Sequence, residues 1–404
     1  MSDIIVQKFG GTSVGSIERI DAVAEIIKKA SKKEKIIVVV SAMAGETNKL
    51  INLAKHFGED PDKREFDALV STGEKISSAL LAMALHSKGI KARSYSASQI
   101  SMKTTNSYSK AKILDIDSNK IMKEVENNSI PIITGFQGVT ETGDVTTLGR
   151  GGSDTTAVAI AAQVKAKRCD IYTDVDGIYT TDPKVVSSAK KLDFITVEEM
   201  LELAGQGAKV MQTRAVEFAN KYNVLVRVLS SFDEGNGTLI SLEEKGMENA
   251  LVSGIAFQKD QVKVTLHGVE DTPGTAFKIL GPISDAEIEV DVIVQNISVD
   301  GKTDFTFTVS NEDQEAVKVI IENIRQEIEF KDLIIDSNIA KVSLVGAGMR
   351  SQSGVASRTF KALSENDVNI QIISTSEIKI TMVINKKLVD KAVQVLHEEF
   401  DLDK

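Results

Sequence analysis

Ile36-Ile37-Val38-Val39-Val40 is an unbroken β-branched run of strand length, and a strand with no polar side fits only where both faces of its sheet are covered. Ile130-Pro131-Ile132-Ile133-Thr134-Gly135 repeats the pattern. Between such runs apolar residues recur at helical spacing, as in Ile17, Ile20, Val23, Ile27 and Ala30 after the strand-like stretch from Ile4 to Phe9. Further helices are expected over 66–85, 153–164 and 197–222, and strands over 169–175 and 224–229. This alternation predicts an α/β fold, an open and mainly parallel sheet sandwiched by helices.

The texture changes after Ser231. Asp233-Glu234-Gly235-Asn236-Gly237 is a turn-rich break and Glu243-Glu244-Lys245-Gly246 a polar link, which places a first domain at 1–240 and a linker at 241–260. A weak internal repeat follows. Lys263-Val-Thr-Leu-His-Gly268 matches Lys341-Val-Ser-Leu-Val-Gly346, and Ile288-Glu-Val-Asp-Val-Ile293 matches Val368-Asn-Ile-Gln-Ile-Ile373. Two βαββα modules are expected, at 261–335 and 336–404.

Composition removes several classes of function. With 48 basic and 58 acidic residues the 404-residue chain carries a net charge of −10, and its densest basic group is Lys32, Lys33 and Lys35, so a nucleic-acid partner is not expected. No aliphatic run approaches the ~20 residues of a membrane span, and Met1-Ser2-Asp3 does not open a signal peptide. A cytoplasmic protein without a membrane partner is expected. Cys169 is the sole cysteine, and His56, His86, His267 and His397 are scattered, which excludes an intrachain disulfide, a cysteine-rich zinc site and an HExxH pair.

Three loops could carry chemistry. Lys8-Phe9-Gly10-Gly11-Thr12-Ser13 ends a strand with a lysine and two glycines, a combination that brings backbone N–H groups and a full positive charge to an anion. It is not a Walker A loop, because Ser16-Ile17 stands where Lys-Ser/Thr is required. Gly149-Arg150-Gly151-Gly152-Ser153-Asp154 repeats the arrangement before an alanine-rich helix, with Arg150 as a planar fork for a carboxylate or phosphate. Thr173-Asp174-Val-Asp176-Gly177-Ile178-Tyr179 leaves a strand toward Asp182-Pro183-Lys184, the position of a nucleotide site in an open α/β sheet. Each stretch also has a plain structural reading: a tight turn, a helix cap by Ser153 or Asp154, or a hairpin. Gly205-Gln-Gly207-Ala-Lys209-Val210 lacks the third glycine of a dinucleotide fingerprint.

Taken together, Lys8-Phe-Gly-Gly-Thr-Ser13, Val40-Ser-Ala-Met43, Ser71-Thr-Gly-Glu74, Gly149-Arg-Gly-Gly-Ser-Asp154 and Tyr172-Thr-Asp-Val-Asp-Gly-Ile-Tyr179 resemble the aspartokinases of the amino acid kinase superfamily. The resemblance spans the whole chain, since that family follows its kinase domain with tandem ACT modules of ferredoxin-like βαββα form. It implies transfer of the ATP γ-phosphoryl group to the side-chain carboxylate of L-aspartate, giving 4-phospho-L-aspartate, the entry to lysine, threonine and methionine. By the same resemblance Lys8 stabilises the transition state beside the Gly10 and Gly11 amides, and Asp154 orients it. Arg150 meets a carboxylate of aspartate, Glu74 its α-ammonium, and Ser41, Thr47 and Ser153 supply hydroxyls. ATP falls to Lys8, Gly10, Gly11, Thr173, Asp174, Tyr179, Lys184 and Lys209, with Lys184 at a place where several relatives carry arginine. Mg²⁺ is expected on the ATP phosphates, without a nameable protein ligand.

The ACT modules imply amino-acid sensing and a homo-oligomer. The matching positions are Thr272, Gly274, Thr275, Ala276, Val290, Asp291 and Asn296 in the first module, and Met349, Ser353, Asn369 and Ile370 in the second. Asp291, between two valines in an expected strand, calls for an ammonium partner, which points to feedback by lysine, with threonine as a second candidate effector. A strand-end aspartate in water is the plain alternative. Another amino acid kinase and a catalytically silent amino-acid or nucleotide sensor remain alternative functions, and a chain ending at Lys404 is expected to be monofunctional.

Overall fold

The all-apolar run becomes a fully covered strand. Lys35–Val40 lies inside an eight-stranded sheet with Ile37, Val38, Val39 and Val40 all at 0 % exposure, and each such side chain contributes about 1.5–3 kcal/mol of burial. The computed structural model describes residues 3–58, 61–208, 210–241, 250–296, 301–350 and 352–404. From edge to edge the sheet runs Phe194–Thr196, Thr238–Ser241, Val226–Ser230, Arg168–Thr173, Ile4–Phe9, Lys35–Val40, Ile130–Thr134 and Ala92–Tyr95. Every neighbouring pair is parallel except Val226–Ser230 against Thr238–Ser241. The helices Ile17–Ser31 and Thr72–Ser87 pack on Ile5, Phe9, Ile36, Val38 and Ile132, while Gly152–Gln163 packs against the central strands. This is the expected helix-sandwiched parallel sheet.

Two long helical patterns are broken. The 66–85 stretch is Lys63–Val70 followed by Thr72–Ser87, and the carbonyl of Ser71 accepts from Gln137 Nε2 at 2.9 Å. Lys63–Ser87 has the length and apolarity of a membrane span, with a mean hydropathy of 1.2, yet it is two helices with Asp67 and Glu74 among their buried residues. The 197–222 stretch is Val197–Gly205 and Thr213–Tyr222, parted where Gly207 takes a left-handed φ of 105°. A small sheet orders Ile113–Ile116, Met102–Thr104, Gln137–Val139 and Val145–Thr147.

By its contacts the chain forms two compact units. The first holds the described residues of 1–179, 191–205 and 210–241, and the second holds 180–190, 206–208 and 250–404. The second unit is built on a six-stranded sheet ordered Ile293–Gln295, Lys302–Ser310, Gly254–Glu270, Asp332–Val345, Lys379–Asn385 and Ile370–Thr375. Its two central strands each serve both modules: the Gly254 end of the first pairs with Lys341 to Val345, and its Lys263 to His267 stretch with Asp332 to Asp336. Residues 254–260 are therefore strand rather than linker. The expected strand over 288–293 is shorter and later, Ile293–Gln295.

Two apolar cores sit under this sheet. Val262, Val264, Leu266, Ile279, Phe305, Phe307 and Ile321 form one, and Val342, Leu344, Val355, Leu363, Met382 and Leu396 the other. The second core also contains Val186, with Val185 and Ala189 packed against it. Thr180 anchors that inserted segment, donating its N–H to Lys190 O at 2.9 Å and accepting Ile255 N–H on its carbonyl at 2.7 Å.

Candidate active site

The strand order fixes where a ligand can sit. From Ile4–Phe9 the chain proceeds through Lys35–Val40 and Ile130–Thr134 on one side, then returns to place Arg168–Thr173 on the other. The order reverses between Ile4–Phe9 and Arg168–Thr173, and open α/β sheets bind their ligands beyond the carboxyl ends of the strands at such a reversal. Phe9 is level with Val40 and Tyr172, and Val40 with Thr134, so the loops after these four strands open at one edge.

Lys8 stands one residue before that edge. It is 8 % exposed and its Nζ lies 2.5 Å from Asp154 Oδ1, in the first turn of Gly152–Gln163. The contact is an ion pair without the angles of an aligned hydrogen bond, since Oδ1 has no hydrogen-bond partner among the described residues. A carboxylate held in this way restrains a lysine ammonium and leaves its protons to be directed at an incoming anion. Close approach calls for the second glycine: a Cβ on Gly11 would stand 3.0 Å from Ala42 O, whereas one on Gly10 would be at ordinary contact distance, 3.5 Å, from Lys8 Nζ and from Tyr172 O. Gly10 donates its N–H to Tyr172 O at 3.1 Å, and Ala44 donates to Gly11 O at 3.1 Å. The first helix opens only at Ile17, capped by Ser16, so the two-glycine loop is separated from its N-terminus by a turn.

Glu74 lies in the first turn of Thr72–Ser87, 3 % exposed. Its Oε1 accepts the Ala42 N–H at 3.1 Å, and its buried Oε2 has no hydrogen-bond partner among the described residues. Burial pushes its pKa up to about 7, against the pull of the backbone hydrogen bonds. Gly73 makes the approach possible, because a Cβ there would lie 2.7 Å from the Ala42 Cβ, and Ser77 Oγ donates to Ser41 O at 2.7 Å. Ser41, Glu74 and the glycine loop are thereby drawn together. Thr47 is in the first turn of Glu46–Lys55, directly after the Ala44 turn that bonds Gly11.

Arg150 is exposed, in a turn between Gly149 and Gly151, both with left-handed φ (77° and 67°). Gly151 is the N-cap and makes no side-chain cap bond, so neither Ser153 nor Asp154 caps this helix. Ser153 is 7 % exposed and packs on Gly135, where a Cβ would come within 2.7 Å of its Oγ. The helix N-terminus adds partial positive charge beside Arg150.

Thr173 and Asp174 follow the strand Arg168–Thr173, with Thr173 Oγ1 donating to Asp174 Oδ1 at 3.1 Å. Tyr179 donates its hydroxyl to Asp176 Oδ1 at 2.7 Å, and that bond together with burial pushes the phenol up to about 12. Lys184 is exposed within the 180–190 segment of the second unit, and Lys209 lies outside the described residues. Gly10 donates to the Tyr172 carbonyl, which sets Thr173 and Asp174, the next two residues, beside the glycine loop. Among the described residues no three His, Cys, Asp or Glu side chains gather as a metal site.

In the second unit, Gly274 and Gly354 are left-handed N-caps (φ 96° each) of Thr275–Asp285 and Val355–Glu365, the strand-to-helix turns expected of both modules. Thr275 Oγ1 donates to Glu270 O at 3.0 Å and lies 3.1 Å from Thr272 Oγ1. Ala276, Asn296, Ser353 and Asn369 are exposed, and Val290, Met349 and Ile370 partly buried. Asp291 has its ammonium partner within the chain: Lys341, itself 3 % exposed, pairs with Asp291 Oδ2. Burial pushes the Lys341 pKa down, and Asp291 opposes the shift. No sequence signal revealed Lys341, Gly73, Ser77 or the Tyr172 carbonyl as parts of these sites, since each acts through a neighbour distant in the chain.

Comparison with known proteins identifies the family of the fold. The amino acid kinase family matches residues 3–230, and ACT domains match 264–329 and 342–400. The chain is 57 % identical over 404 residues to an aspartate kinase of Pseudomonas fluorescens SBW25, covering 99 % of this chain and 98 % of that one. It is 48 % identical to an aspartokinase of Helicobacter pylori 26695, covering 99 % and 100 %. Among solved structures it resembles E. coli aspartokinase III in complex with aspartate and ADP in the R-state, with a TM-score of 0.84, 26 % identity and coverage of 98 % and 99 %. It also resembles the same enzyme in complex with lysine and aspartate in the T-state, with a TM-score of 0.78, 26 % identity and coverage of 99 % and 100 %.

Proposed function

Because the chain belongs to the amino acid kinase family, as an aspartate kinase with two ACT domains, we propose that it moves the ATP γ-phosphoryl group to the side-chain carboxylate of L-aspartate at the Lys8–Glu74 loops. The observation that carries the assignment is the nearly buried Lys8–Asp154 pair beside the Gly10-Gly11 loop at the sheet reversal. Phosphoryl transfer needs positioning and charge neutralisation more than covalent help, and a carboxylate acceptor is already ionised at neutral pH, so no general base is required. Lys8 neutralises charge on the equatorial phosphoryl oxygens, with the Gly10 and Gly11 backbone beside it. Arg150 holds a carboxylate of aspartate. Glu74 holds the α-ammonium through the Oε2 that no described protein group satisfies, and Ser41, Thr47 and Ser153 supply hydroxyl contacts.

Thr173, Asp174 and Tyr179 line the nucleotide side, with Lys184 and Lys209 as further phosphate contacts. Mg²⁺ would neutralise phosphate charge. The chain offers no converging ligand set among its described residues, so the ion is assigned to ATP oxygens and water. The product is 4-phospho-L-aspartate, the first step toward lysine, threonine and methionine. The ACT unit is assigned to feedback inhibition by lysine, with threonine as a second effector, supported by the E. coli relative whose T-state structure holds lysine. A homo-oligomer through the ACT modules is supported by the sheet edges Ile293–Gln295 and Ile370–Thr375, which expose Ile293 and Ile373.

Hydroxylamine trapping of the acyl phosphate with ATP, Mg²⁺ and either L-aspartate or L-glutamate tests the acceptor. Hydroxamate is expected with aspartate alone. Product with glutamate, or with neither, overturns the assignment.

A further inference from the structure

A buried carboxylate and a half-buried guanidinium group, neither with a role in the chemistry described so far, hold the chain just before Arg150. Asp67, on the helix Lys63–Val70, is 0 % exposed and accepts four hydrogen bonds. Its Oδ2 takes the N–H of Ser109 at 2.8 Å and of Thr147 at 2.7 Å, and its Oδ1 takes the hydroxyls of the same two residues at 3.1 and 2.8 Å. Arg214, on Thr213–Tyr222, is partly buried and spends its fork on two backbone carbonyls: Nη1 donates to Leu148 O at 2.7 Å and Nη2 to Ala111 O at 2.8 Å.

The two side chains grip the same pair of segments. Asp67 ties Ser109 to Thr147, Arg214 ties Ala111 to Leu148, and between them Ala111 donates its N–H to Thr147 O at 2.9 Å. Leu148 is in turn fixed by donating to Phe136 O at 2.8 Å. The next three residues are Gly149, Arg150 and Gly151. Gly149 passes close to Ser109, where a Cβ would meet its carbonyl oxygen at 3.1 Å. Gly151 passes against Gln212, the residue before the Arg214 helix, so closely that a Cβ would come within 1.9 Å of Gln212 Cγ. Arg150 thus stands on a two-glycine bridge between a clamped dipeptide and the helix bearing Ser153 and Asp154. Glycines on both sides leave that backbone free to swing unless its anchors hold it.

We propose that Asp67 and Arg214 are positioning residues for Arg150. Their four donors and two carbonyls set the direction from which the Arg150 fork meets the substrate carboxylate, without touching substrate themselves. This rests on the reading of Arg150 as a ligand of aspartate. Buried carboxylates and guanidinium groups are strongly desolvated, and placing one on each side of a dipeptide makes its position costly to shift. A misplacement of about 1 Å at a positioning group is enough to cost a large factor in turnover of the substrate it orients.

The test is a kinetic double-mutant cycle on the full chain with Arg150→Ala and Arg214→Lys. Arg214→Lys keeps the charge and loses the fork that spans two carbonyls. Alone it is expected to raise the KM for aspartate about tenfold while the KM for ATP moves less than about twofold. In the Arg150→Ala background it should add less than about twofold, because both act through one side chain. Thr147→Val, which removes only one of the four bonds to Asp67, should shift the aspartate KM in the same direction and again lose its effect without Arg150. Equal changes in both KM values, or full additivity with Arg150→Ala, overturns the proposal. If Arg150→Ala itself leaves the aspartate KM unchanged, the reading of Arg150 is what has failed.

Discussion

Thr180 Oγ1 lies 2.9 Å from His397 Nε2, which ties the residue directly after Tyr179 to the last helix of the chain, Val389–Glu399. Both side chains are buried, His397 at 1 % and Thr180 at 4 % exposure. Burial pushes the His397 pKa down, against the pull of Asp403 and Glu398. The unfolded chain therefore takes up a proton first, and the stability tied to neutral His397 is full above the unfolded value of about 6.5 and is lost as pH falls below it. Thermal unfolding followed from pH 8 to 5 should show a falling Tm below about 6.5. His397→Phe should flatten that limb, and Thr180→Val should lower stability by about 1–2 kcal/mol at pH 7.5 by stranding the imidazole.

Glu74 titrates in the opposite sense. Its carboxyl sits at about 7, above the ordinary value, because burial disfavours the charged form. An ammonium is held by the carboxylate, so kcat/KM for aspartate should be full above pH 7 and fall about tenfold per unit below it. Glu74→Gln should give a low, pH-independent profile. Folding favours the protonated carboxyl, so this group's contribution to stability is present at low pH and lost as pH rises through about 7. The Gln variant should accordingly outlast the parent in denaturant at pH 8, by up to about 3 kcal/mol. An unchanged acid limb in the Gln variant would assign it to another group.

What was legible in the sequence had its partners nearby in the chain or its chemistry compressed into a loop. Lys8, Gly10 and Gly11 announce an anion site because a lysine and two glycines fall within four residues, whereas Glu74 was legible only as part of the family resemblance, since the Ala42 amide it binds lies 32 residues away. Asp67 and Arg214 were not legible. Their partners are 42, 80, 66 and 103 residues away, and four of the six bonds are to backbone groups that any residue type supplies. The repeat revealed two modules, but the polar Lys259-Asp260-Gln261 disguised one 17-residue strand as a linker followed by a shorter one. Val185, Val186 and Ala189 carry no core signal in the sequence because too few apolar side chains adjoin them.

Lys8 and Arg150 should separate kinetically. Lys8→Ala removes a preorganised charge facing the phosphoryl oxygens and should lower kcat by roughly 10²–10³ with little change in the aspartate KM. Arg150→Ala removes a ground-state contact and should mainly raise that KM by about 30-fold or more, the ~2 kcal/mol lower end for truncating one partner of a charge pair. Steady-state rates with aspartate and ATP varied in turn distinguish the two. Small and equal effects of both variants on both parameters would contradict the assigned roles.

The Asp291–Lys341 pair bears on the effector. A ligand ammonium that used Asp291 would have to displace or share it with Lys341, whose own ammonium is 3 % exposed and costly to hold there. Lys341→Met keeps the length and apolar stem of the side chain while removing its charge, so it should leave Asp291 open and bring no packing defect. If lysine inhibits through Asp291, its half-inhibitory concentration should fall about 5–10-fold in Lys341→Met, a coupling of the size usual between linked sites. Asp291→Asn should raise it, and to the same level with or without Lys341, because Lys341 has no carboxylate left to occupy. Inhibition curves for lysine and threonine on the three variants decide between these outcomes, and a Lys341→Met curve that overlays the parent would place the effector's ammonium elsewhere in the ACT unit.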